Sequence, residues 1–177
     1  MPSAHSNGVL NMWYSFRAQR THFVVIDTET DYKGAPTTPK TRALGGRGGG
    51  FGDQMAWLAR DLERAQADDD VDWTVVVGHR PVYLSKADSD DLPVDTDKKM
   101  RKAVEPLFRR YGVDLYVGAH KHFYERLAPL YDGKVCDERT EACPTYIVHG
   151  AAGNNEALSK GSRTHENWVR ASDYTHR

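Results

Sequence analysis

The chain has 177 residues, 39% hydrophobic and 28% charged, with 24 basic against 25 acidic side chains and a formal net charge of −1. That length supports the core of one domain, and the mixed charges exclude the basic stripe of a nucleic-acid or anionic-membrane binder. No stretch approaches the ~20 apolar residues of a membrane span, and the opening MPSAHSNGVLNMWYSF has neither a basic nor an apolar signal region.

The first predicted element is HFVVID (22–27), whose β-branched and aromatic residues read as a buried strand. Residues 28–52 follow, crowded with proline, threonine and glycine, and predict a long loop. Its GGRGGGFG run matches no phosphate-cradling pattern and is not directly preceded by a strand. Asp53 is placed to cap a helix in which Met55, Leu58, Leu62 and Ala65 recur at helical spacing until DDD ends it. WTVVVGH (73–79) is the next strand, apolar throughout as a strand covered on both faces would be. An acidic loop, SKADSDDLPVDTD, leads into a helical pattern through Met100, Val104, Leu107, Phe108 and Tyr111; Pro106 inside it predicts a kink or two abutting helices. VDLYVG (113–118) and TYIVHG (145–150) complete the strands. This alternation predicts an α/β fold with parallel pairing and right-handed crossovers.

In such sheets ligands gather outside the carboxyl ends of strands. His79 lies just past one strand end, and His120 and His122 just past the next. Residues i and i+2 of an extended segment point the same way, so the close pair is suited to one metal centre or two adjacent ones. A lone histidine after a strand is more often a hydrogen-bonded surface residue; the combination of VVGHRP with HKHFYER is sharper than its parts. Asp27 and Glu29 end a strand, where loop hydrogen bonding competes with support of a metal ligand. Arg126, beside Glu125, is read first as a loop anchor, and His149 as a neighbour of the site. His5, His22, His165 and His176 read as structural or exposed. Cys136 and Cys143 flank a polar turn, so either a short disulfide across a hairpin or two free thiols fits the sequence.

VVVGHRPVY and GAHKHFYER, with WYSFRAQRTHFVVIDTETD before them and PTYIVHGAAGNNE after, resemble the purple acid phosphatases, a branch of the calcineurin-like binuclear metallophosphoesterases. The likeness runs from about Met12 to Trp168. It implies an αββα sandwich of which residues 1–177 would be a part, incomplete at both ends. It also implies a binuclear centre of iron plus a divalent ion, zinc, manganese or iron, with His79 and His120 on the divalent ion and His122 on the iron. The implied activity is hydrolysis of phosphate monoesters on small phosphorylated substrates. The alternatives are phosphodiester or pyrophosphate hydrolysis, or an inactive segment that only binds a ligand or partner. Frequent secretion in the family adds an expectation of secreted or vacuolar localisation and of a Cys136–Cys143 disulfide.

Three departures qualify the resemblance. Ala119 stands where the family has glycine directly before the first histidine, so a positive φ there would carry strain. No histidine lies between Arg80 and Ala119, where the family holds substrate. The G-D-x-G, G-D-x-x-Y and G-N-H-E/D motifs that complete the metal ligands do not occur before His79. The final ENWVRASDYTHR is where a further strand is expected.

Overall fold

The computed structural model describes residues 2–35, 50–85, 96–137, 140–151 and 167–173. In chain order its elements are α1 (Pro2–His5), β1 (Tyr14–Ala18), β2 (Thr21–Val25), α2 (Gln54–Gln66), β3 (Trp73–Val77), α3 (Thr96–Arg110), β4 (Leu115–Gly118), β5 (Tyr124–Leu127), β6 (Leu130–Tyr131), β7 (Lys134–Val135), β8 (Thr145–His149) and β9 (Val169–Asp173). Among the described residues one sheet runs in the order β1-β2-β3-β4-β8-β5-β9, and β6 with β7 forms a small separate hairpin.

The centre of the sheet is parallel, with β2 against β3, β3 against β4 and β4 against β8. The flanks are antiparallel: β1 pairs back onto β2, and β5 sits between β8 and β9. The parallel pairing expected from the alternation holds across α2 and α3 and also between β4 and β8, which β5 and the β6–β7 hairpin separate without a helix, and it fails at the two flanks, where β1 turns straight back onto β2 and β5 inserts between β8 and β9.

α2 and α3 cover one face of the sheet. α2 starts where expected, the Asp53 carboxylate accepting from the Ala56 N–H at 3.0 Å, and it buries Trp57, Leu58 and Leu62. α3 adds Met100, Val104 and Phe108, and the Phe108 ring lies 5.6 Å from that of Tyr116 on β4. These side chains share one core with Val24, Val76 and Tyr146 of the strands. α3 runs unbroken through Pro106, so it is not two abutting helices. Pro106 is exposed, which leaves the carbonyl it cannot pair to water.

The other face is apolar and open. Register places Phe16, Phe23, Val25, Val75, Val77, Leu115, Val117 and Ile147 together there, opposite the fully buried Val24, Val76, Tyr116 and Tyr146. Trp73 is 59% exposed and Phe16 47%, and the remaining members are half-buried. β3 is thus covered on one face only, although its composition suggested two. Four strands, β1, β5, β6 and β7, escape the pattern reading. In β5 the inward positions are Glu125 and Leu127, so a buried carboxylate breaks the hydrophobic alternation. β1 presents few apolar residues to the core, whereas β9 forms within ENWVRASDYTHR, where a further strand is expected.

Candidate functional site

β3 and β4 are parallel neighbours, so their carboxyl ends deliver His79 and His120 to the same edge of the sheet. The two exits are stitched together: the Gly78 N–H donates to the Val117 carbonyl at 3.0 Å, and the Ala119 N–H donates to the His79 carbonyl at 2.8 Å. Gly118 is required at this crossing, because a Cβ there would lie 2.8 Å from the Cα of Pro81. The positive φ falls on His120, at 59°, and not on Ala119. The methyl group in place of glycine is therefore unstrained, and the left-handed backbone belongs to the histidine, a conformation that costs of order 1–3 kcal/mol outside glycine and persists where the surroundings impose it.

The two rings meet nearly edge to face, with centroids 4.9 Å apart and planes at 79°. His79 Nε2 and His120 Nδ1 are 2.9 Å apart. Behind them Arg80 is buried. Its Nε lies 2.6 Å from Glu29 Oε1, its NH1 lies 3.3 Å from His120 Nε2, and its backbone N–H donates to Thr28 Oγ1 at 2.9 Å. The Tyr116 hydroxyl donates to the Arg80 carbonyl at 2.5 Å.

Asp27 shapes the loop that supplies Thr28 and Glu29. Its carboxylate accepts from the N–H groups of Glu29 and Thr30, at 2.7 and 3.2 Å, and from the Thr30 hydroxyl at 2.8 Å. The buried Gln54 at the start of α2 clasps the backbone of Asp27 on both sides, accepting from its N–H at 2.7 Å and donating to its carbonyl at 2.9 Å. Asp27 thus shapes the loop that carries Glu29, the partner of Arg80.

The other expected residues are more dispersed. His122 is half-buried in the turn between β4 and β5. His149 is exposed at the carboxyl end of β8, its ring 5.9 Å from that of Tyr124. Glu125 and Arg126 part company: Glu125 is fully buried and accepts from the Ser85 N–H at 3.1 Å and from the Ser85 hydroxyl, whereas Arg126 points to the opposite, open side. There Arg126 lines a cavity of about 440 Å³ with Glu141, Cys143 and Arg170. Cys136 and Cys143 are joined, S–S 2.08 Å and Cα–Cα 6.4 Å. The bridge closes the loop between β7 and β8, which are not paired with each other, so it does not span a hairpin. His22 is held by Asp61 at 2.7 Å and His5 is exposed, while His165 and His176 lie outside the described residues, as do most of the glycine-rich loop and of the acidic loop.

Among the described residues no three histidine, cysteine, aspartate or glutamate side chains are arranged to hold a metal ion. The His79–His120 pair brings two ring nitrogens face to face. Two nitrogens each ~2.0–2.2 Å from a metal in neighbouring positions lie about 3 Å apart, which is the separation seen. Glu29 and Arg80 were not read as a pair beforehand. They stand in different loops, and only the parallel docking of β2 against β3 brings those loops together.

The sequence matches the family described as calcineurin-like phosphoesterase over residues 7–124. It is 32% identical to an acid phosphatase of Aspergillus ficuum over 92% of this chain and 31% of that protein. It is 40% identical to acid phosphatase A of Cryphonectria parasitica over 83% of this chain and 29% of that protein. It is 33% identical to the Homo sapiens acid phosphatase type 7 over 92% and 38% respectively. The chain thus spans about a third of the length of these relatives. Its fold is similar to that of a purple acid phosphatase from yellow lupin seeds, with a TM-score of 0.68 at 22% identity over 92% of this chain and 26% of that one.

Proposed function

Because the chain belongs to the calcineurin-like phosphoesterase family, we propose that the protein it forms part of hydrolyses phosphate monoesters on small substrates in the manner of its acid phosphatase relatives. The observation that carries this reading is the His79–His120 contact of 2.9 Å at the carboxyl ends of two parallel strands. In the proposed site His79 and His120 hold a divalent ion and His122 an iron. A binuclear centre supplies an activated hydroxide and clamps the phosphoryl oxygens. The chain's own contribution is placement: Gly118 lets the two exits cross closely, and the Glu29–Arg80 pair backs His120.

Residues 1–177 are read as one part of a catalytic domain. Support comes from the open apolar sheet face and from the third of the relatives' length that the chain spans. Imidazoles bring no negative charge, so further anionic ligands are needed to hold two cations side by side. The disulfide favours an oxidising compartment, secreted or vacuolar.

The test is an assay of this chain with p-nitrophenyl phosphate at acidic pH, with iron and zinc supplied. Slow hydrolysis that disappears in His120→Ala is the expected result. A residual rate equal in both proteins would overturn the site. Fast hydrolysis lost in His120→Ala would leave the site standing and overturn the part-domain reading. Faster cleavage of bis-p-nitrophenyl phosphate than of the monoester would replace monoester specificity with phosphodiesterase activity.

A further inference from the structure

The protonation pattern around His120 can be assigned from its partners. A guanidinium carries donors only, so at the 3.3 Å contact with Arg80 NH1 the acceptor is His120 Nε2, which holds no proton. A neutral imidazole has one bare nitrogen and one N–H. Nδ1 therefore carries the proton and donates it to His79 Nε2 at 2.9 Å.

We propose that Arg80, anchored by Glu29, is a positioning residue that competes with the metal ion for His120. The proposal rests on the reading that His79 and His120 share one cation. A cation between His79 Nε2 and His120 Nδ1 takes the place of the shared proton, which passes to Nε2 or to solvent. If it passes to Nε2, that nitrogen becomes a donor facing the donor of Arg80, and the contact is lost. If it leaves for solvent, His120 becomes an imidazolate, a state that a neutral-pH site with one divalent ion does not ordinarily reach. A cation on Nε2 itself meets the guanidinium head on. Metal binding through either neutral tautomer therefore separates Arg80 from His120. The contact with Glu29 Oε1 at 2.6 Å runs through Nε and not NH1; it is an ion pair and not an aligned hydrogen bond, and its attraction keeps the guanidinium in the loop as NH1 is released. In the metal-free chain the same arrangement keeps the His120 ring turned toward His79.

Two measurements test this. Nitrogen NMR of histidine-labelled, metal-free chain is expected to show His120 protonated at Nδ1 and bare at Nε2; the reversed tautomer would overturn the assignment and the proposal with it. Calorimetric titration with zinc alone is then compared for the wild type, the double variant Glu29→Gln/Arg80→Met and His120→Ala. The double variant removes both charges of the pair together, and is expected to bind zinc about tenfold more tightly, the size of one charge-assisted hydrogen bond. Equal or weaker zinc binding by the double variant overturns the competition while leaving the site intact. Zinc binding that His120→Ala does not change overturns the proposed site and this inference together.

Discussion

At the scale of single residues, Glu105 shows how burial sets chemistry in this chain. It lies on the core side of α3, where its carboxylate accepts from the Tyr83 hydroxyl and from the Asp132 N–H at 3.1 Å. Burial is the main cause that raises its pKa above the ordinary carboxylate value, outweighing the hydrogen bond from Tyr83 that lowers it. A raised folded-state value means that the folded chain holds the proton more tightly than the unfolded one. The associated stability is complete below the ordinary value of 4.5 and is lost as pH rises through the raised one. Glu105→Gln removes that titration, so the fall of unfolding free energy as pH rises above the ordinary carboxylate value of 4.5 should be shallower in the variant. Urea unfolding at a series of pH values measures it, and identical slopes would show that Glu105 does not titrate differently on folding. The histidines teach a related lesson. His120 and Ala119 were legible as a motif, but that the left-handed backbone falls on His120 and not on Ala119 is visible only in the structure.

At the scale of elements, Asp61 ties three pieces together. It is 3% exposed on α2, and it accepts from the Ser15 hydroxyl of β1 at 2.8 Å, meets His22 of β2 at 2.7 Å and pairs with Arg64 at 3.0 Å. The helix is thus fastened to the sheet edge by a polar clamp at the end of the sheet opposite His79. Asp61→Ala strands the partly buried donors of Ser15 and His22, each worth of order 1–3 kcal/mol when left unpaired, so a loss of about 2–3 kcal/mol in chemical denaturation is expected. A loss within 0.5 kcal/mol, the ordinary range for surface changes, would mean that water replaces the clamp. Elements of this kind are only partly visible beforehand. The helical period of α2 and its Asp53 cap were readable because both are local. The strand character of β5 was not, because its inward Glu125 is stabilised by Ser85, forty residues away in sequence.

At the scale of the whole molecule, the two faces of the sheet differ sharply. One face carries two helices and a shared core; the other presents Phe16, Trp73 and half-buried valines, leucine and isoleucine. Contiguous apolar surface of this kind drives association. The chain made by itself should therefore self-associate, and Phe16→Lys/Trp73→Lys should lower its sedimentation coefficient toward that of a monomer without altering its far-ultraviolet circular dichroism. A wild type already monomeric at tens of micromolar would show that the face is protected in solution.

The sequence by itself determined the α/β class, the capped start of α2, the strand-end placement of His79, His120 and His122, and the family. All of these depend on local period, capping chemistry or fixed motif spacing, which neighbours along the chain set among themselves. The tertiary structure decided the antiparallel flanks, the single covered face, the contact between His79 and His120, and the Glu29–Arg80 pair behind them. Each of these joins residues whose separation in sequence carries no information about distance. Only the register of β2, β3 and β4, fixed by burying Val24, Val76 and Tyr116 in one core, brings their loops together.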